Sequence, residues 1–227
     1  MKIAIHQPDY IPYIGLFYKM WESDVFVYLD DAQFSSSNMH NWNRIKTPQG
    51  EYKLKIPVQY NFGDNINYVF TKDNLNWKDK HLKIIKMNYA RAKYYKDFYY
   101  VYKELLLSSY SNLADMNITI NSHIANLFGI NPRFYKASEF KINSLREKRI
   151  IDICVQLGGD TYISGKGAKV YQNEKNFNNN GINLKYTNYK NIKYKQQWGK
   201  FVNNTSIIDY IFNCGFDWGK IEKNMIN

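Results

Sequence analysis

Three short segments bring together side chains that can do chemistry. The first is His6-Gln7-Pro8-Asp9-Tyr10, directly after the apolar run Lys2 to Ile5. A histidine at a strand end can shuttle a proton or donate to a phosphate, and Gln7 sets an amide beside it. Tyr10 belongs to the same turn, and Gly15 at the following helix start permits close approach of a ligand to backbone N–H groups. The second segment is Asp30-Asp31, which closes the run Asp24 to Leu29, with Asn43 and Arg44 shortly beyond. An acid leaving a buried strand can orient an amine or position a base, and arginine can grip a phosphate or carboxylate through two hydrogen bonds. Asp30 is expected to point toward His6. The third is Ser164-Gly165-Lys166-Gly167-Ala168, after Tyr162-Ile163. Backbone N–H groups and a hydroxyl in such a loop can cradle phosphate oxygens while Lys166 supplies charge. Its glycines match neither the Walker nor the dinucleotide-binding spacing. Each segment also has a plainer reading: a histidine satisfied in a turn, a solvated acid pair, a hairpin charge, a short glycine turn.

The elements that must position these residues follow from periodicity. Lys2 to Ile5 reads as a buried strand, Tyr13 to Trp21 as a helix and Asp24 to Leu29 as a second strand, a βαβ unit that demands a parallel sheet. Asn41 to Lys46 and Tyr52 to Val58 flank Thr47-Pro48-Gln49-Gly50 and predict a β-hairpin, with a further strand at Asn65 to Thr71. Trp77 to Phe128 predicts three helices, and Phe134 to Ala137 another strand. Ile150, Ile153, Cys154 and Leu157 repeat at helical spacing, and Thr161 to Ile163 and Ile182 to Tyr186 read as strands. Ser206 is a good N-cap for a last helix ended by Gly215. The fold expected is a single α/β domain: a parallel-sheet, Rossmann-like core from 1–34 and 134–227, with a hairpin at 41–71 and helices at 77–128 inserted.

With 227 residues and 44% hydrophobic content, the chain can bury a substantial core. The apolar runs are short and lysine interrupts them, so no membrane span is expected, and the amino terminus turns polar too early for a secretory signal. Cys154 and Cys214 form no disulfide framework, which makes a reduced, cytoplasmic setting the simplest reading. His40, His81 and His123 have no zinc-type spacing with the cysteines, so no metal is expected. The net charge of +11 with 17% aromatic residues resembles a nucleic-acid binder, yet 28 Asn and 26 Lys stand against only 5 Arg. Lys, Asn, Tyr and Ile all have A/T-rich codons, and arginine, the residue suited to phosphate forks and base edges, is scarce. A small anionic ligand fits this surface better than a long polyanion.

Several segments together resemble the WbqC-like protein family. They are HQPDYIPYIGLFYK from His6, DVFVYLDDAQF from Asp24, Asn43-Arg44, Ile56 to Val58, Lys80-His81, YISGKGAKVY from Tyr162 and SIIDYIFNCG from Ser206. Asn204-Thr205 departs from the family pattern just before the last of these. The resemblance implies a bacterial enzyme of O-antigen or other surface-polysaccharide synthesis that transfers glycine or another amino-acyl group onto a sugar. It selects His6, Gln7, Asp30, Asn43, Arg44, Ser164, Gly165, Tyr171, Asp209 and Asn213. A fainter resemblance links the opening strand, turn and helix to nucleotidylyltransferases and pantothenate-synthetase-type ligases. Tyr13-Ile14-Gly15-Leu16 stands where those proteins carry HxGH, with both histidines missing, and Ile163 to Lys166 stands at their late loop. That likeness implies ATP and an acyl-adenylate. The expected partners are therefore a nucleotide-linked sugar and an amino-acyl donor. The alternatives are a Lys/Tyr-rich nucleic-acid-binding protein and a non-catalytic, sugar-nucleotide-binding member of a polysaccharide assembly complex.

Overall fold

The computed structural model describes residues 1–226. The chain begins with β1 (Lys2–His6), α1 (Ile14–Trp21) and β2 (Val25–Tyr28), then leaves the sheet. Outside it, β3 (Trp42–Thr47) and β4 (Gly50–Lys55) form an antiparallel hairpin, and β5 (Val58–Gln59) pairs with β6 (Phe70–Thr71). Helices α2 (Trp77–Tyr89), α3 (Tyr95–Leu107) and α4 (Leu113–Leu127) follow. The chain returns through β7 (Arg133–Lys136), α5 (Arg146–Gln156), β8 (Thr161–Ser164), α6 (Glu174–Asn178) and β9 (Asn183–Tyr186). It ends with α7 (Ile207–Cys214) and α8 (Trp218–Ile226).

The five sheet strands are parallel and lie in the order β7-β2-β1-β8-β9. Counted among themselves in chain order they run third, second, first, fourth, fifth. This is the doubly wound, Rossmann-like arrangement, and its topological switch falls between β1 and β8. The strand periodicity of two sorts side chains between the faces. Ile3, Ile5, Val25 and Val27 pack with Ile151, Ile153, Cys154 and Phe177 of α5 and α6. Ala4, Phe26, Tyr28 and Ile163 face the other way, into a core shared with α1, α2, α3, α4, α7 and α8. The segment inserted between β2 and β7 thus completes the main core over the sheet.

Several elements differ from the sequence reading. Asn65 to Thr71 is not a continuous strand, because a 3-10 turn occupies Ile66–Tyr68 and only Phe70–Thr71 is extended. The N–H groups of Ile66 and Asn67 donate to the carbonyls of Ala32 and Asp30, which removes them from any ladder. Helices α6 and α8 were not foreseen. The first is too short to show a period, whereas Trp218, Ile221 and Met225 of α8 are buried at helical spacing. No helix among the described residues is long and apolar enough to cross a membrane.

Candidate functional site at the parting of the central strands

The sheet splits at its switch point. β1 and β8 pair only as far as Ala4 and Ile163. Each continues against its other neighbour, β1 to His6 beside Tyr28 and β8 to Ser164 beside Tyr186. The His6 carbonyl accepts from Leu29 N on the β2 side. Alternation along a parallel strand therefore turns the Ile5 carbonyl toward β8, just beyond the last residue pair. Lys19 fills the fork: from α1 its Nζ donates to the Ile5 carbonyl at 2.7 Å. Only 5% of this residue is exposed, and burial lowers its pKa to about 7.

A cavity of about 820 Å³ opens above the fork. His6 and Gln7 line it from β1, Tyr162, Ser164 and Gly165 from β8, and Gly167, Ala168, Tyr171 and Gln172 from the loop beyond. Lys19 lies in its floor, and Arg146 and Glu147 bring in the first turn of α5. Crevices at the carboxyl ends of parallel strands, at a switch point, are where this class of fold binds ligands.

The chemistry of the wall follows from its hydrogen bonds. His6 Nδ1 lies 2.9 Å from the Gln7 carbonyl. A carbonyl only accepts, so Nδ1 carries the hydrogen and Nε2 keeps the basic lone pair. Burial, the largest influence, lowers the His6 pKa, with Lys19 acting in the same direction and Asp9 against it. The ring is thus neutral at neutral pH and able to accept a proton. Asp9 stands between two imidazoles, 4.0 Å from Nδ1 of His6 and 3.0 Å from Nδ1 of buried His40. Ser164 Oγ donates to Gln172 Oε1 at 2.8 Å, tying the end of β8 to the loop. Glu147 accepts from Asn173 N and Asn176 Nδ2, which turns both carboxylate oxygens toward α6.

The turn carrying His6 and Gln7 is held from outside the sheet. Asn117 Nδ2 donates to the Pro8 carbonyl, and Asn121 Nδ2 to that of Asp9. Asn43 Nδ2 donates to the carbonyls of both Tyr10 and Ile11. Ser206 Oγ donates to Ile11, and Ile207 N to Pro12. Every carbonyl from Pro8 to Pro12 therefore meets a donor from β3, α4 or the start of α7. Such over-determination sustains Ile11 at a φ of 36°, a left-handed conformation unusual for a β-branched residue.

The model of the WbqC-like protein family matches residues 7–221. The chain belongs to that family. It is also 30% identical over 218 residues to the uncharacterized protein Rv1507c of Mycobacterium tuberculosis (strain ATCC 25618 / H37Rv), covering 94% of each chain. No solved structure matches it. Membership of the WbqC-like family suggests a role in polysaccharide biosynthesis and is consistent with an enzyme.

In this WbqC-like fold the expected site residues separate into two groups. His6, Gln7, Ser164, Gly165, Gly167 and Tyr171 meet in the cavity. The others do not line it. Asp30 does not turn to His6; its carboxylate accepts from Ser138 N at 3.0 Å and Ser138 Oγ at 2.6 Å, bracing the turn after β7. Tyr10 is buried with its hydroxyl between Tyr102 and His81. Gly15 makes room for a ring, since a Cβ there would lie 2.6 Å from Cζ of Tyr13. Asn43 clasps the turn just described. Arg44 pairs with Glu51 across the hairpin at 2.7 Å, away from the cavity. Lys166 points outward to Asn188. Asp209 is buried beneath the hydroxyls of Tyr89 and Tyr194, and Asn213 Nδ2 bonds to its backbone carbonyl. Sequence reasoning passed over Lys19, Arg146 and Gln172. A lysine inside the apolar run Ile14–Trp21 was the one local signal for the first.

Proposed function

We propose that this protein acylates the amine of a nucleotide-linked amino sugar with glycine or another amino-acyl group, in the cytoplasm, for bacterial O-antigen or surface-polysaccharide synthesis. The observation that carries this reading is the cavity at the parting of β1 and β8, sized for a small ligand and lined by both polar strand ends. Family membership supports the pathway. The sugar amine attacks the carbonyl carbon of the activated acyl group. The C–N bond forms, the bond to the leaving group breaks, and the amine proton passes to Nε2 of His6. A donor arriving as a free amino acid requires ATP, whose α-phosphate the carboxylate attacks with loss of pyrophosphate. Gln7, Ser164 and the 165–167 loop hold the ligand, and Tyr171 lies against it.

The test is a thermal-shift screen of UDP-, GDP- and dTDP-amino sugars with and without ATP and glycine, followed by mass analysis of the sugar nucleotide. A binder raises the melting temperature, and turnover yields an acylated sugar nucleotide. His6→Ala should lower turnover at least about 10²-fold while leaving the fold intact. Acylation at the wild-type rate by His6→Ala removes the assignment of the base. Absence of acylated product with every donor refutes the enzyme and leaves a non-catalytic sugar-nucleotide binder.

A further inference from the structure

The fork holds a lysine in an unusual setting. Lys19 sits on a helix packed against one face of the sheet, yet its Nζ lies 5.9 Å from the ring centre of Tyr162, a residue of the opposite face. It reaches through the gap left where β1 and β8 separate. Its hydrogen-bond acceptor is the Ile5 carbonyl, and no carboxylate lies within ion-pair distance of it among the described residues. A buried ammonium without a carboxylate is costly, so a residue kept there calls for a charge that arrives from elsewhere. The same cavity receives Arg146 at the start of α5, an exposed guanidinium with no ion pair among the described residues. The Arg146 backbone is held at a φ of 54°, in the left-handed region. It also receives the positive end of that helix and the Ser164-Gly165 strand end. Among the described residues the one carboxylate in the lining, Glu147, is engaged by Asn173 and Asn176.

We propose that the fork between β1 and β8 is the diphosphate subsite of this cavity, with Lys19 as the buried side chain that meets the anion. The inference rests on the reading that the cavity takes a nucleotide-linked sugar, and it names the part of that ligand the fork holds. The titratable and charged groups around Lys19 are His6 from β1, Cys154 and Arg146 from α5, Tyr162 from β8, and Glu147 turned away toward α6. Desolvation holds Lys19 near pKa 7, so at pH 8 most of it is a neutral amine until a diphosphate arrives. An anion beside it favours the ammonium and raises that pKa. The sign follows: the bound state holds more protons, so affinity falls as pH rises above 7, by up to tenfold per unit.

The probes are UDP, GDP and dTDP, titrated calorimetrically into the full-length protein at pH 8 in two buffers of different ionisation enthalpy. Phosphate groups are already fully ionised there, and His6, titrating below its ordinary 6.5, contributes little. The expected result is uptake of close to one proton per bound diphosphate. Lys19→Gln retains an N–H donor for Ile5 O but loses the charge; it should bind at least tenfold more weakly and take up no proton. Lys19→Arg should retain binding without proton uptake. A cooperative melt and an unchanged circular dichroism spectrum show that Lys19→Gln folds. Equal affinity in wild type and Lys19→Gln, or binding without proton uptake in wild type, overturns the proposal. If none of the diphosphates binds while an amino-sugar nucleotide is still acylated, this inference fails and the proposed function stands. Binding with proton uptake but no acylation leaves the reverse.

Discussion

Asn43→Ala separates the two roles a motif asparagine can have. Asn43 is fully buried, and its amide makes three hydrogen bonds: to the carbonyls of Tyr10 at 2.9 Å and Ile11 at 3.0 Å, and from Arg44 N at 2.8 Å. Truncation leaves the Tyr10 carbonyl and the Arg44 N–H without these partners, while Ile11 keeps Ser206 Oγ. Each orphaned buried group costs about 1–3 kcal/mol. The expected loss is therefore about 3 kcal/mol, or roughly 6–12 °C in melting temperature for a chain of this size. The assay is urea denaturation followed by circular dichroism, with ligand titration of the folded variant below its transition. A clasp predicts a large fall in stability and weaker ligand binding, because the His6-Gln7 turn loses a fastening. A stability loss below about 1 kcal/mol together with abolished binding would refute the clasp and return Asn43 to the list of ligand contacts.

Two further predictions concern His81 and Gly159, away from the cavity. His81 accepts from the Tyr10 hydroxyl at Nδ1 and donates from Nε2 to the Lys55 carbonyl, and burial lowers its pKa from 6.5 to about 4. Its contribution to stability is complete above 6.5 and is lost as pH falls toward 4, in all about 3 kcal/mol; denaturation curves across that window should be flatter for His81→Gln, and parallel curves would refute the assignment. At Gly159 a Cβ would lie 2.9 Å from Cγ1 of Ile3, and closer still to Cδ1, in the packed face beneath α5. Gly159→Ala should lose about 1–3 kcal/mol in thermal denaturation, with part restored by Ile3→Val; no recovery in the double variant would show that the clash is with the backbone instead.

The two ends of the site that the sequence marked did converge. His6-Gln7 and Ser164-Gly165 follow apolar runs whose length and β-branching specify buried strands, and parallel strands joined by helices must present their carboxyl ends on one edge. The polar residues of the intervening motifs lie elsewhere. Asn43, Asp30, Tyr10 and Asp209 satisfy backbone or side-chain partners inside the protein. A buried asparagine serving a carbonyl and one serving a ligand have the same local sequence. Arg44 has the chemistry to grip a phosphate, but the hairpin register sets Glu51 within its reach.

The sequence by itself determined the βαβ opening, the hairpin, the helical stretch and the histidine at the first strand end, because hydrophobic period and turn chemistry are local. It also determined that the charge of +11 comes from lysine, without saying which lysine matters. Only the tertiary structure decided that. Lys19 becomes a buried cation because β1 and β8, far apart in the chain, pair up to Ala4 and Ile163 and then part. The solvation of a charge depends on everything packed around it, and no window of neighbouring residues contains that information.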